Sequence, residues 1–242
     1  MTFLAECQGV LEKIYRPAGV NLERCVIGPN RFSDLVRDSG IDPNQFSGRA
    51  FTFLRPDRRQ LRMALYYDPE IIKVLEHEDP RLSISHRNVA ELIDFTEEIT
   101  HGVHSALAFS DGVRAFEAES FACALEIQAK VDVYLMILRA LKALVGDELG
   151  EDAVQWLKAQ VLDGYGYSEM PFILARRYRM AVEIAGRFIE ALFQLEAKQR
   201  LEWLRKFRQG GVWWKWKTMR SLEKTVIKNQ PSSGFFLRSC AK

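Results

Sequence analysis

All four histidines of the 242-residue chain, His77, His86, His101 and His104, fall in one 28-residue window. Two of them share a segment with Asp94, Glu97 and Glu98. Glu97 and His101 are four apart, while Glu98 and His101, and His101 and His104, are three apart. Those spacings put side chains on one face of a helix, where their polar atoms can converge on an ion. Imidazole with carboxylate suits a divalent transition metal such as Zn, Fe or Mn. A histidine beside several acids also suits general-base chemistry on water, in a hydrolase or an oxygen-handling protein.

The next helical segment supplies a partner. On residues 114–145, Glu119, Cys123, Glu126 and Lys130 lie in line with Val133, Ile137, Leu141 and Leu144, a stripe that should face the core. Glu117, Gln128, Asp132, Arg139 and Lys142 gather on the opposite side, which should be wet. Buried charges are costly unless paired, protonated or metal-bound. Ser110-Asp111-Gly112 is a tight connection, so the two helices should run antiparallel. Folding back there sets His104 level with Glu119, His101 with Ala122–Cys123, and Glu97 with Glu126. The candidate pocket is therefore Glu97, Glu98, His101, His104, Glu119 and Glu126, with Lys130 beside Glu126. Three readings are open: a metal centre, a metal-free functional pocket, and ion pairs on a wet helix face. Only Glu98-Ile99-Thr100-His101 is a Glu-x-x-His unit, and His-Glu-x-x-His is absent, which excludes a standard zincin. Cys123 in acidic surroundings reads as a small buried residue, not a nucleophile.

The elements that must position these residues are mostly helical. Residues 2–15 read as an amphipathic helix capped by Thr2. Residues 16–48 read as irregular, with one or two helical turns around Phe32–Val36. Residues 49–54 and 60–66 are β-prone runs flanking a turn, a hairpin and the only sheet expected. Asp68-Pro69-Glu70 opens a helix ending near His77, and Asn88-Val89-Ala90-Glu91 resembles a capping box for residues 88–109. Residues 151–162 and 169–196 are further helices, with a loop at Asp163-Gly164-Tyr165-Gly166-Tyr167 that lacks the remainder of a phosphate-binding motif. In the last helix Leu174, Tyr178, Ala181, Ala185, Phe188, Leu192 and Leu195 form a heptad seam, read as a core face or a homo-oligomer contact. The fold class is mainly α: a helical bundle (68–209) behind a mixed N-terminal region with a β-hairpin (1–67), and then a basic, aromatic segment (210–242).

Charge sets that last segment apart. The totals, 34 Lys+Arg and 32 Asp+Glu, nearly cancel. From Lys198 onward, however, 12 bases face only Glu202 and Glu223, a surplus of ten, and the preceding chain carries a surplus of eight acids. Trp213, Trp214, Lys215, Trp216 and Lys217 interleave aromatics with lysines, a pattern that can stack on nucleic-acid bases and meet phosphates. It also fits tryptophans packing on the body of the protein, or a membrane interface. A non-enzymatic interaction module using this segment is the alternative to the His/Glu pocket. Cys7, Cys25, Cys123 and Cys240 form no C-x-x-C pair, which argues against a zinc ribbon or disulfide framework. The start of the chain lacks the basic and apolar regions of a secretory signal, and no apolar run approaches the roughly 20 residues of a membrane span. The expected setting is cytoplasmic.

Overall fold

A computed structural model describes residues 1–39, 49–146, 148–163 and 171–229. It is mainly helical with a small sheet near the N-terminus. Helix α1 (Phe3–Ile14) begins at Thr2, whose side chain accepts a hydrogen bond from the Ala5 amide at 3.2 Å. A 3-10 turn (Leu22–Cys25) leads to strand β1 (Val26–Ile27), and helix α2 spans Pro29–Ser39. Residues 16–39 thus carry more structure than their Pro, Gly and Asn content suggests. Phe32 of α2 stacks on Tyr66 at 3.9 Å between ring centroids, so burial of an aromatic face outweighs weak local propensity.

The hairpin forms from β2 (Ala50–Pro56) and β3 (Leu61–Tyr67), antiparallel with Phe53 opposite Ala64. The sheet has a third strand that the sequence did not announce. β1 pairs parallel with β3 in the order β1-β3-β2, and at two residues it is too short to show alternation. Helix α3 (Pro69–His77) has the expected Asp68 cap and first-position Pro69.

Helix α4 (Val89–Ser110) follows, but Asn88 does not form the expected capping box. Its side chain turns back instead, donating to the carbonyls of Glu78 and Ser83 at 2.8 Å each and accepting from the Ser85 amide. Asn88 is fully buried, so satisfying its amide against that loop takes precedence over capping. Helix α5 (Glu119–Val145) begins five residues later than expected, because Gly112, with φ near +89°, opens a longer connection. Helix α6 (Glu151–Lys158) passes into a π-helical turn (Ala159–Asp163), and α7 (Phe172–Leu192), α8 (Ala197–Arg208) and α9 (Val212–Asn229) complete the described chain. The loop expected at 164–167, the end of the basic segment and Cys240 lie outside the described residues.

α5 is the central helix, packed by α4, α7 and α9 and touched by α1. The centre of the heptad seam is buried against α5 and α9, with Ala181, Ala185 and Phe188 having no exposed surface, while Leu174 and Tyr178 are half-buried and Leu195 lies past the end of α7. Phe188 stacks on Phe207 of α8 at 3.8 Å. Among the described residues, no helix is long and apolar enough to cross a membrane.

The turn from α8 into α9 depends on Gly210. Its φ is near +86°, and a Cβ there would stand 2.9 Å from the Cβ of Trp214. Gly210→Ala should destabilise the protein by about 1–3 kcal/mol in urea titration. A midpoint equal to that of the wild type would contradict this role.

Candidate functional site

The middle of α4 is buried on every side, from Phe95 to Leu107, because the hairpin, α1 and α3 cover the faces that α5 does not. Thr52 of β2 donates to the Glu98 carbonyl at 3.3 Å, and Arg49 clamps Glu91 and Asp94 at 2.8 Å each. Burial lifts the Asp94 carboxyl to about 6, against the opposing pull of Arg49. His101 and Glu97, which the apolar stripe alone leaves at or beyond its border, are therefore buried.

The helices pair antiparallel, but one turn out of the expected register. Glu97 meets Lys130, which donates to both carboxylate oxygens at 3.1 and 3.2 Å. His101 meets Glu126, with Nε2 and Oε2 at 3.5 Å, and its Nδ1 stands 3.5 Å from Glu98 Oε2. The late start of α5 accounts for the shift: the return helix enters about a turn further along the chain. Lys130 accordingly hydrogen-bonds Glu97, while its charge also acts on Glu126, the partner expected for it.

Of the six sequence candidates, the structure brings four together: Glu97, Glu98, His101 and Glu126. His104 belongs to a separate network described below. Glu119 lies at the surface in a two-pronged ion pair with Arg177 of α7, at 3.0 and 2.5 Å, and accepts from Cys123 at 3.3 Å. Burial first, then Glu119, pushes the Cys123 thiol up to about 11, so it is no thiolate nucleophile.

Glu97, His101 and Glu126 each offer one ligand atom, all within 4.8 Å of one another, and could hold a metal ion. Ligand atoms sharing an ion at about 2.1 Å each stand roughly 3–4 Å apart, so a contraction of at most about 1–2 Å closes the set. Glu98 Oε2, His101 Nε2 and Glu126 Oε2 are buried without a hydrogen bond. Burial disfavours the charged imidazole, yet Glu126 and Glu98 prevail and hold His101 well above the usual histidine range. Burial likewise works against the Glu126 carboxylate, but His101 and Lys130 hold it below its ordinary value. Two tyrosines border the cluster. Tyr178 is raised well above its usual range, first by Glu126, and Tyr67 chiefly by burial and then by Glu98.

A second buried network lies on the other flank of α5. His104 Nε2 and Asp132 Oδ2 are 2.6 Å apart, and Tyr15 donates to Asp132 Oδ1 at 2.5 Å. The Gln128 amide donates to Tyr15 Oη and Asp132 Oδ2, at 2.9 and 3.0 Å. Lys215 of α9 donates to Gln128 Oε1 at 2.5 Å and to the Phe207 carbonyl at 3.0 Å. Gln128 and Asp132 are the residues that helical periodicity assigns to a wet face. Both are buried because Tyr15 and α9 cover that side, while Arg139 and Lys142 further along are exposed as expected. No local pattern near Gln128 signals this cover, which comes from Tyr15 and Lys215, 113 and 87 residues away.

The candidate binding segment is divided. Lys215 is buried, whereas Trp213, Trp214, Trp216 and Lys217 are exposed. Trp213 and Trp216 stack on each other at 4.9 Å, and Lys217 lies over Trp213. His77 and His86 stand apart from both networks, His86 receiving the Trp156 indole N–H at 3.3 Å.

A scan against protein-family models, a search of curated proteins and a search of solved structures each return no match.

Two measurements probe these networks. Lys130→Met should cost about 3–5 kcal/mol of stability in metal-free protein, since it strands a buried carboxylate. Restoring part of that loss with the added change Glu97→Gln would assign the cost to the pair. Burial holds Lys215 at about 7, below its ordinary 10.5. The folded chain therefore binds fewer protons there than the unfolded chain between those values. The stability contribution of Lys215 is lowest below pH 7 and rises toward pH 10, by at most about 1.4 kcal/mol per pH unit. Comparing Lys215→Met with wild type across that range should show a flatter profile in the variant.

Proposed function

We propose that the α4–α5 cluster is a transition-metal centre. His101 Nε2, Glu126 and Glu97 supply the ligands, and Glu98 receives the His101 Nδ1 proton. That last contact makes a carboxylate–histidine–metal chain, which fixes the ring and strengthens the imidazole as a donor. The observation that carries the reading is the burial of His101 between two carboxylates, with Nε2 3.5 Å from Glu126 Oε2 and Nδ1 3.5 Å from Glu98 Oε2.

Charge supports it. Three glutamates face one lysine, so a divalent ion with a neutral His101 brings the formal total to zero. One nitrogen and several carboxylate oxygens form a donor set for Fe, Mn or Zn. Bound there, such an ion supplies Lewis acidity and, for iron or manganese, redox capacity. The chain's own part is to hold the ligands on two helices fixed by the Glu97–Lys130 pair.

Elemental analysis of protein reconstituted with Fe(II), Mn(II) or Zn(II) should find about one equivalent per chain for one of them. His101→Ala and Glu126→Gln should each weaken binding by about tenfold or more. Chelation should lower the melting temperature of the wild type. Substoichiometric metal under all three conditions, with a melting temperature indifferent to chelator, would dismiss the centre.

A further inference from the structure

The second network borders a pocket of about 530 Å³ that the metal reading does not use. Its wall includes His104, Ala124, Gln128 and Lys215, all buried, which make the floor. Ala108, Ala115 and Ala118 line it together with the larger Val113, Phe121 and Leu125, and Arg208, paired to Asp111, is also in the wall.

Lys215 is an unusual residue to place there. Its side chain, 2% exposed, comes from a helix otherwise rich in solvent-facing lysine and arginine. Its amine donates hydrogen bonds to Gln128 Oε1 and to the Phe207 carbonyl. The amine also lies over the Phe207 ring, 4.6 Å from its centroid, so two oxygen acceptors and one aromatic face surround it. Nearby, His104 Nε2 bonds to Asp132 while Nδ1 has no partner. With Nε2–H donated to the carboxylate, Nδ1 presents a lone pair able to accept a proton.

We infer that this pocket binds a small 2-oxo acid and that Lys215 is its amine nucleophile, forming an imine with the ligand's carbonyl carbon. The apolar part of the wall suits a short carbon chain, and the Arg208 guanidinium suits its carboxylate. The Nζ lone pair forms the C–N bond as the carbonyl π pair moves to oxygen, and one of the two N–H protons passes to that oxygen to give a hydroxyl. The nitrogen then gives up its second proton, and His104 Nδ1, which has no hydrogen-bond partner among the described residues, is the acceptor assigned to it. Return of that proton to the hydroxyl releases water and leaves C=N. The exchange consumes one carbonyl and one amine, yields one imine and one water, and needs no oxidant or metal. Burial, which outweighs the opposing charge of Asp132 and is reinforced by Arg208, holds the amine at about 7 and supplies its uncharged form near neutrality. The groups facing Lys215 are Asp132 and Gln128 of α5, Arg208 and Phe207 of α8, and His104 of α4, with Tyr15 completing the network beyond Gln128.

The test is reductive trapping of the full chain with pyruvate and cyanoborohydride, read by intact mass and peptide mapping. A single adduct at Lys215, formed at least about tenfold faster than at any surface lysine, is expected. Its rate should rise through about pH 7 and then level. Lys215→Arg, checked for native circular dichroism, should give none. Absence of an adduct in the folded wild type, or an adduct spread evenly over surface lysines, would overturn the assignment. The wild-type map decides the matter even if the variant fails to fold. Metal content has no bearing on this readout, so its failure is distinguishable from failure of the metal centre.

Discussion

The bond between Glu97 of α4 and Lys130 of α5 fixes how the two central helices slide past one another. Lys130 has no exposed surface, so the pair cannot be exchanged for water, and a shift of either helix by one turn would leave both charges stranded. That constraint places His101 opposite Glu126, not Cys123, and leaves Glu119 free to reach Arg177 at the surface. The hairpin, α1 and α3 then complete the arrangement from outside, each packed on α4. Without them the His101 face of α4 would be wet, and its histidine would be an ordinary surface titrating group.

Much of the architecture was legible locally. Thr2, Asp68 and Pro69 mark helix starts by chemistry that acts over three residues, and the β-prone runs around Arg55–Arg59 close into the expected hairpin. Glu97, Glu98, His101 and Glu126 were readable as a group because two antiparallel helices joined closely must share a face. Their register was not readable, since it depends on how many residues the Asp111–Ala118 connection absorbs. Gln128 and Asp132 were misassigned for a different reason. Helical periodicity assumes one buried stripe, and a helix packed from several directions has more than one. The same limit hid Lys215, whose neighbours in sequence are exposed tryptophans and lysine.

The uneven charge of the chain also takes a different meaning once folded. The basic C-terminal part does not stand apart from the acidic body. Arg208 bonds Asp111, Arg187 of α7 bonds Glu223 of α9, and Lys215 enters the network around Asp132. These contacts lie at interfaces between elements, where opposite charges guide docking as well as hold it. The exposed remainder, Trp213, Trp216 and Lys217, forms one small stacked group on the outer face of α9.

Gln128 is bonded by a residue just past α1 and by one on α9, elements at opposite ends of the described chain. Contacts of such sequence separation close large loops, and their entropic cost must be met before they return any stabilisation. The α4–α5 pair needs only a short loop and can assemble early. The Tyr15–Gln128–Lys215 network can form only after both distant elements have docked, so it belongs to the last stage of folding. A chain stalled before that stage would hold the Glu/His cluster intact while Asp132 and His104 remained open to water. In kinetic terms the two networks on α5 are separate clocks, and the slower one reports that the whole molecule has closed.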